Sequence, residues 1–355
     1  MKRQIEPGTF YPKTPFHMVW LATNLCNARC AHCSSNSTTR SSDELNTEEA
    51  FTLMEQLADC GVVDLAISGG EPLFRKDIFD IINHATRLGL FVGVGSNGAF
   101  LTQQKAQRLA SCGITRFQVS LDGPAPIHDA LRRWPGLFER VIHTIEVAKN
   151  AGLKTHVCCT INRLNWKILE PFTEFVEKLG VARLNFSRYV PTGRGTEVLD
   201  ISPDEWRSVV FLCQRLKERY VGKLEIVSHL AQQILVDHEV VDMPGFIGCQ
   251  AGVGQGAVTA NGTVLPCVLL PIPVGNIRDQ RFSEIWKSSP VIKALRNRGN
   301  LIGACSTCGV KNRCGGCRAV SYAKTGNYLD SDPRCWLLTD TATKHNDYKL
   351  ISINQ

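Results

Sequence analysis

The 355-residue sequence has no stretch of about 18 consecutive apolar residues, so it predicts no membrane-spanning helix. Its first residues, Met1–Gly8, contain no apolar core of the kind that a secretory signal needs. Basic and aromatic residues do not interleave in a stripe, and the net charge is only +7, which argues against nucleic acid as a partner. We also find no internal repeat and no low-complexity tract. We therefore expect an ordinary globular protein of the cytoplasm.

Cysteine, by contrast, is abundant, with 15 residues in a chain that shows no signal peptide. In a reducing compartment such thiols are metal ligands or free thiols more often than disulfides. Ten of the cysteines form two ordered groups, three near the start and seven from Cys249 onwards. We expect the other five to be small buried apolar residues; they are Cys60, Cys112, Cys158, Cys159 and Cys213.

The first cysteine group, Cys26, Cys30 and Cys33, has the spacing C-x3-C-x2-C. Three thiolates on one tight loop can hold three irons of a 4Fe–4S cluster and leave the fourth iron open to a small molecule. The alternative is zinc, which normally takes four ligands, often in C-x2-C pairs. His32 lies inside the triplet and is poorly directed for the fourth position. The spacing therefore favours the cluster.

Short β-branched runs alternate with longer helical patterns from residue 17 to about residue 195. Predicted strands are His17–Ala22, Val63–Ser68, Phe91–Gly95, Arg116–Leu121, Thr155–Thr160 and Arg183–Ser187. Predicted helices are Thr47–Cys60, Ile78–Leu88, Gln103–Ser111, Gly136–Ala151 and Trp166–Lys178. Such an α/β series indicates a parallel sheet with right-handed crossovers, compatible with an incomplete (β/α)6 barrel. Its ligands would bind at the carboxyl ends of the strands.

The rest of the chain predicts a bridge and a cysteine-rich domain. Residues 196–248 are predicted to be mostly helical. The strongest helix is predicted at Glu205–Tyr220, and Ser202-Pro203-Asp204-Glu205 is typical of a helix start. The following segment is rich in Gly, Pro and Cys, so bound metal would supply its missing cross-links. We expect five segments: an extension 1–16, a partial barrel 17–195, a helical bridge 196–248, the cysteine-rich domain 249–340 and a tail 341–355.

Polar motifs follow the predicted strands, at the edge where a ligand would bind. Ser68-Gly69-Gly70-Glu71-Pro72 follows the second strand, and its glycines allow close approach of the backbone to a ligand. The next strands are followed by Ser96-Asn97-Gly98, Ser120-Leu121-Asp122-Gly123, Thr160-Ile161-Asn162-Arg163 and Pro191-Thr192-Gly193-Arg194-Gly195. Each motif alone is compatible with an ordinary turn, but five in register with the strands favour one binding site.

The cysteine triplet and the Gly-Gly-Glu-Pro motif together resemble the radical SAM superfamily, whose fold is a partial TIM-like barrel. The resemblance implies that S-adenosylmethionine (SAM) chelates the open iron. It also implies that Gly69, Gly70 and Glu71 hold the methionyl amino group. The remaining implied cofactor contacts are Ser96 and Asn97 at the ribose, Ser120 and Asp122 near the SAM carboxylate, and Arg163 after the fifth strand.

The second cysteine group resembles the SPASM extension of radical SAM enzymes, which carries auxiliary 4Fe–4S clusters. The resemblance implies a distal cluster on Cys305, Cys308, Cys314 and Cys335 and a proximal cluster on Cys249, Cys267 and Cys317. Two residues instead of three precede the sixth cysteine, and no cysteine shortly before Cys249 supplies a fourth proximal ligand. An open iron or a non-cysteine ligand in the proximal cluster is therefore our hypothesis. One or two zinc ribbons are the alternative reading of this group.

Further motifs resemble the branch that holds the pyrroloquinoline quinone peptide cyclase, the mycofactocin maturase and the haem-pathway enzymes. They include Cys33-Ser34-Ser35-Asn36, the segment from Val190 to Val198 and Cys249-Gln250-Ala251-Gly252. The resemblance implies reductive cleavage of SAM to a 5′-deoxyadenosyl radical, which removes a hydrogen atom from the substrate. The auxiliary clusters would accept an electron or orient the substrate. A non-catalytic iron–sulfur electron carrier is the alternative, although a carrier has no use for a SAM site.

Two substrate classes remain open: a ribosomally made peptide, which we favour by analogy, and a tetrapyrrole or other small molecule. Because Cys26 comes so early, a peptide substrate would need a separate recognition protein. A tetrapyrrole would need basic residues near the strand ends, for which Arg163, Arg188 and Arg194 are candidates. The resemblance also implies a flavodoxin- or ferredoxin-like reductant.

Overall fold

The computed structural model describes residues 13–228, 230–237, 240 and 246–338. Most of the predicted N-terminal extension and the whole predicted tail therefore lie outside the described residues. Described strands are His17–Leu21 (β1), Asp64–Ser68 (β2), Phe91–Ser96 (β3), Arg116–Ser120 (β4), Thr155–Ile161 (β5), Arg183–Arg188 (β6), Glu225–Ser228 (β7), Gln255–Val258 (β8), Thr263–Leu265 (β9) and Gly275–Asn276 (β10).

Helices alternate with the first seven strands and then follow one another in the cysteine-rich segment. Described α-helices are Thr47–Asp59 (α1), Ile78–Arg87 (α2), Gln103–Ser111 (α3), Ala125–Arg132 (α4), Leu137–Asn150 (α5), Leu169–Lys178 (α6), Pro203–Arg219 (α7), Phe282–Ser288 (α8), Pro290–Arg296 (α9), Ala304–Thr307 (α10), Lys311–Cys314 (α11) and Arg318–Thr325 (α12). Within these described residues, no helix is long and apolar enough to cross a membrane.

Local sequence explains where the predicted elements begin and end. At the start of α7, the Ser202 side chain accepts from the Glu205 amide and the Glu205 side chain accepts from the Ser202 amide, which forms a capping box with Pro203 in the first turn. The six predicted strands and five predicted helices are confirmed with their ends within one residue, except that Trp166–Ile168 forms a 3₁₀ turn before α6. The prediction missed α4.

The strands form one ten-stranded sheet in the order β10-β9-β8-β1-β2-β3-β4-β5-β6-β7 within the described residues. Neighbours from β8 through β7 are parallel, while β9 and β10 pair antiparallel at one edge. The expectation that residues 196–248 are mostly helical was incomplete, because β7 extends the sheet beside β6. Strand β8 also joins the cysteine-rich segment directly to β1. The partial barrel and this segment therefore share one sheet.

The two faces of the sheet differ in their chemistry. One face is apolar and packs against the helices; Trp20, Phe117 and Phe186 are fully buried there. The side chains on the other face alternate with these along the strands and are only partly buried. We call this second face, turned away from the helices, the open face. Loops after the carboxyl ends of the strands border it, and they carry the predicted motifs.

Candidate functional site

The loop after β1 carries the three cysteines of the first group. Just before them, the buried Glu44 carboxylate accepts from the Asn24 amide at 2.8 Å and from the Thr23 hydroxyl at 3.0 Å. Burial, and then the nearby thiolates of Cys30 and Cys33, raise the pKa of the Cys26 thiol. The loop therefore brings three thiols within electrostatic reach of one another.

Gly69 and Gly70 lie against the backbone that leads into this loop. A Cβ on Gly70 would lie 2.2 Å from the Leu25 carbonyl oxygen, and one on Gly69 would lie 2.7 Å from that of Thr23. The Gly70 amide donates to the Thr23 carbonyl at 2.7 Å, and the Glu71 amide donates to that of Leu25 at 2.8 Å. Glycine is thus required here because the strand end packs directly on the loop that precedes the cysteines.

The Glu71 carboxylate links this strand end to the next one. It accepts from the Ser96 hydroxyl at 3.1 Å and from the Asn97 amide at 2.9 Å. Burial raises the pKa of Glu71 to about 6, although these hydrogen bonds act in the opposite direction. The Asn97 side-chain amide donates to Asn27 at 2.7 Å and lies 3.9 Å from the Cys26 sulfur. Glu71, Ser96 and Asn97 therefore form one network beside the cysteine loop.

The other three predicted cofactor contacts occupy different positions. Ser120 ends β4 on the open face and is partly buried. Asp122 is fully buried, and its carboxylate accepts from Arg132 at 2.8 Å and from the Thr160 amide at 3.0 Å. The Arg163 guanidinium donates to the Asp200 carbonyl at 2.8 Å and lies 3.8 Å from Glu205. Asp122 and Arg163 are thus occupied by internal partners.

His32, within the cysteine loop, and Arg132, behind it, both lie near Asp122. The His32 ring lies 4.0 Å from the Asp122 carboxylate, and burial lowers its pKa to about 4. Arg132, which sequence reasoning missed, lies near the end of α4 and donates toward the Cys30 sulfur at 3.7 Å. No short-range pattern marks Arg132, because its contact with Cys30 spans 102 positions.

The loop after β6 holds the cysteine loop from its other side. The Arg194 guanidinium donates to the Cys30 carbonyl at 3.1 Å and to the Ser37 carbonyl at 2.9 Å, while its amide donates to the Cys33 carbonyl at 2.9 Å. A Cβ on Gly193 would lie 2.4 Å from the Cys33 carbonyl oxygen, and its φ is +64°. The motif from Pro191 to Gly195, predicted to border a ligand, therefore supports the cysteines.

Electrostatic interactions connect the later cysteines in two sets. Burial raises the pKa of Cys267 to about 12, with further increases from the thiolates of Cys249 and Cys317. Burial likewise raises the pKa of Cys335 to about 12, with Cys305 and Cys308 among the contributing charges. One cavity is lined by all four cysteines of the predicted distal set, namely Cys305, Cys308, Cys314 and Cys335.

A buried ion pair connects the region of the seven later cysteines with the barrel. Asp332 accepts from both terminal nitrogens of Arg188, at 2.8 and 3.0 Å, and from the Cys317 amide at 2.8 Å. The pair lowers the pKa of Asp332 to about 2 against the opposing effect of burial. The Cys249 amide also donates to the Cys314 carbonyl at 2.9 Å. The predicted proximal and distal sets are thus joined by a backbone hydrogen bond, and the Asp332 carboxylate joins the proximal set to the barrel.

The residues present fit iron–sulfur clusters. Three thiols on one loop, the three of Cys249, Cys267 and Cys317, and the four around one cavity are ligand sets that 4Fe–4S clusters take. Within the part of the chain that the structure describes, no three His, Cys, Asp or Glu side chains converge to hold a single metal ion. All fifteen cysteines are free thiols, and the distant Cys213 interacts with Cys159 in the barrel core.

The chain is similar to known families along most of its length. Residues 20–176 match the model of the radical SAM superfamily, and residues 249–309 match that of an iron–sulfur cluster-binding domain. An AdoMet-dependent heme synthase of Methanosarcina barkeri is 35% identical over 90% of this chain and 96% of its own length. The mycofactocin maturase MftC of Mycobacterium tuberculosis is 32% identical over 90% of this chain and 83% of its own length.

Two solved structures share the fold at low identity. SuiB of Streptococcus suis, bound to its precursor peptide SuiA, has a TM-score of 0.76 with 17% identity, over 92% of this chain and 76% of that one. The protein anSMEcpe, with AdoMet and a peptide bound, has a TM-score of 0.73 with 16% identity, over 92% of this chain and 95% of that one.

These relatives, together with the two domain matches, show the family and its cofactors, SAM and 4Fe–4S clusters. Those cofactors supply reductive cleavage of SAM to a 5′-deoxyadenosyl radical, which removes a hydrogen atom from the substrate. The chain therefore belongs to the radical SAM superfamily, among the enzymes that carry a SPASM iron–sulfur domain.

Proposed function

We propose that Cys26, Cys30 and Cys33 hold the cluster that binds SAM. The support is the loop that gathers the three thiols, packed against the glycine-rich strand end. In this proposal the Glu71 carboxylate and the backbone of Gly69 and Gly70 receive the SAM amino group. Ser96 and Asn97 contact the ribose side, and Ser120 contacts the carboxylate side. Asp122 and Arg163 would not contact SAM themselves. They would act through the groups that they already bind, which are Arg132 and Thr160 for Asp122 and Asp200 for Arg163.

The later cysteines would hold two auxiliary clusters. The distal cluster takes the four cysteines that line the cavity, and the proximal cluster takes Cys249, Cys267 and Cys317. We retain the hypothesis that the proximal cluster has an open iron or a non-cysteine ligand. Its support is that the thiols acting on Cys267 are those of Cys249 and Cys317. Spectroscopic evidence of a fourth cysteine ligand on this cluster would rule the hypothesis out.

We propose a ribosomally made peptide as the substrate, and the chemistry of the open face carries this proposal. In the middle and at the carboxyl ends of β2, β4 and β6 this face presents uncharged groups, including Ser68, Gln118, Asn185 and Ser187. The side-chain amide of Asn185 donates to the side-chain oxygen of Gln118 at 2.7 Å across β5. Amides and hydroxyls at this depth match the neutral donors and acceptors of a peptide backbone.

The basic residues expected for a tetrapyrrole are committed elsewhere. Arg188 is paired with Asp332, and Arg194 binds carbonyls of the cysteine loop. Arg163 is held by the Asp200 carbonyl. At the amino ends of the strands, Arg116 is likewise paired with Asp64. A substrate with several carboxylate arms would thus meet no free cation among these four residues, whereas a peptide needs none.

A tetrapyrrole remains the second candidate because one observation favours it. The heme synthase of M. barkeri is matched over 96% of its own length, against 83% for the mycofactocin maturase. Under this alternative the enzyme would remove carboxylate arms from the macrocycle. The carboxylates would then have to bind residues other than the three arginines above.

We further propose that a flavodoxin- or ferredoxin-like protein supplies the electron, since SAM cleavage is reductive. A separate recognition protein would present the precursor peptide. The cytoplasm suits these partners, because a reducing compartment keeps fifteen thiols available for clusters.

The substrate class can be tested with two kinds of probe. Reconstituted, dithionite-reduced enzyme and SAM would be incubated with synthetic peptides encoded by small reading frames beside the gene, or with iron coproporphyrin III. We expect a mass change in a peptide and none in the porphyrin, together with slower peptide conversion by Gln118→Leu. Loss of carbon dioxide from the porphyrin, with every peptide unchanged, would establish the tetrapyrrole alternative instead.

A further inference from the structure

One buried cation lies directly behind the first cysteine group. Arg132 is 8% exposed and donates toward the Cys30 sulfur at 3.7 Å. The cysteine loop is held to the same helix end by the Ala31 amide, which donates to the Leu131 carbonyl at 2.8 Å. The guanidinium is therefore fixed against one thiol by the packing of the loop on α4, rather than by a flexible surface contact.

Asp122 balances this cation from the other side. Its carboxylate accepts from the Arg132 Nε at 2.8 Å, and the Thr160 amide fixes its second oxygen. His32 and His128 lie 4.0 and 3.9 Å from the same carboxylate. The guanidinium of Arg132 and the carboxylate of Asp122 thus form the buried ion pair of this pocket.

We infer that Arg132 is a positioning residue that raises the reduction potential of the cluster on Cys26, Cys30 and Cys33, and that Asp122 limits this effect. The inference rests on the proposed assignment of that cluster. Reduction adds a negative charge to a cluster, and a cation donating to a ligand sulfur stabilises the reduced form. The buried carboxylate beside the cation acts in the opposite direction.

The two charges predict shifts of opposite sign, which a merely structural role would not produce. Full-length protein would be reconstituted anaerobically, and the midpoint potential of the first cluster would be measured by redox titration with paramagnetic resonance. We expect Arg132→Gln to shift the potential downward, since Asp122 then remains alone. We expect Asp122→Asn to shift it upward, since Arg132 is then unopposed. Arg140→Gln, at an arginine stacked on Phe100, is the matched control and leaves the potential unchanged.

Loss of packing must be separated from loss of charge, and Arg132→Lys does this because it keeps the cation. We expect Arg132→Lys to stay nearer the wild-type potential than Arg132→Gln, at equal iron content. Shifts of the same sign in Arg132→Gln and Asp122→Asn, or no shift in either, would overturn the inference. The assignment of the cluster to Cys26, Cys30 and Cys33 is tested separately. A Cys30→Ala variant that keeps the resonance signal of the first cluster would refute that assignment, whatever the result for Arg132.

Discussion

Glu71 shows at the level of one residue how burial prepares a group for its proposed ligand. Its carboxylate is only 4% exposed and accepts from Ser96 and Asn97 rather than from a cation. A buried carboxylate without a cationic partner favours its protonated form, which explains its raised pKa. The ammonium group of SAM would supply the missing charge.

We therefore expect SAM binding to weaken as the pH falls through about 6, the pKa of Glu71. The ionised carboxylate attracts the ammonium group, and the protonated form does not, so affinity falls by about tenfold per pH unit below the pKa. Equilibrium dialysis of labelled SAM against reconstituted protein from pH 5 to 8 measures this dependence. Glu71→Gln should bind weakly at every pH. A flat wild-type profile would contradict the proposed role of Glu71.

At this scale the sequence predicted residue types better than it predicted contacts. The cysteine triplet and Glu71 were found because short spacings mark them. The close approach of Gly70 to the Leu25 backbone was not predicted, because Leu25 lies 45 positions earlier in the chain. Arg132 and Asp332 could not be found, because their partners are distant in sequence and no local pattern encodes such pairs.

Among the elements, the loop from Pro191 to Gly195 has the clearest structural task. Its Arg194 makes contacts with the cysteine loop at Cys30, Asn36 and Ser37. These bonds join the end of β6 to the loop after β1, which are far apart along the sheet. This loop therefore ties the carboxyl end of β6 to the cysteine loop, across the strands β2 to β5 that lie between them.

Arg194→Ala should make the first cluster more labile, because three backbone and side-chain acceptors on the cysteine loop lose their donor. We expect several-fold faster loss of iron to a chelator, followed by absorbance, with little change in thermal unfolding. Arg219→Ala, at an exposed arginine paired with Glu170 on a distant helix, is the matched control. Equal rates of iron loss in Arg194→Ala and wild type would show that the loop does not protect the cluster.

The prediction of helices and strands succeeded for long segments with periodic apolar residues and failed for short ones. The six predicted strands and their helices carry clear patterns over the barrel segment. Strand β7 has only four residues, Glu225–Ser228, which is too short for alternation to distinguish it from a turn. Helix α4 has only eight residues and follows a glycine and a proline, so its sequence resembles part of a loop.

At the scale of the molecule, the barrel and the cysteine-rich segment are joined by the sheet and by the buried ion pair of Arg188 with Asp332. Strand β8 pairs with β1, and Asp332 pairs with Arg188 on β6. The sequence analysis begins a separate segment at residue 249 because composition changes there, while pairing between strands so distant in the chain leaves no local signal. These two connections place the seven later cysteines beside the barrel.

Asp332→Asn should destabilise the whole protein, because it leaves Arg188 buried without its counterion. Removing one partner of a buried pair costs about 3–5 kcal/mol. We expect a lower midpoint of thermal unfolding and a lower iron content, since Asp332 also accepts from the Cys317 amide. Asp279→Asn, on the exposed surface of the same segment, should leave both unchanged. Wild-type stability in Asp332→Asn would contradict the proposed connection.

The central claim is that three thiols on the loop after β1 hold the cluster at which SAM is cleaved. Formation of 5′-deoxyadenosine by reconstituted, dithionite-reduced protein tests it most directly, with Cys60→Ala as the control. The wild type and Cys60→Ala should form the product, whereas Cys26→Ala, Cys30→Ala and Cys33→Ala should form none. Product from any of these three variants, or none from the wild type, would contradict the account.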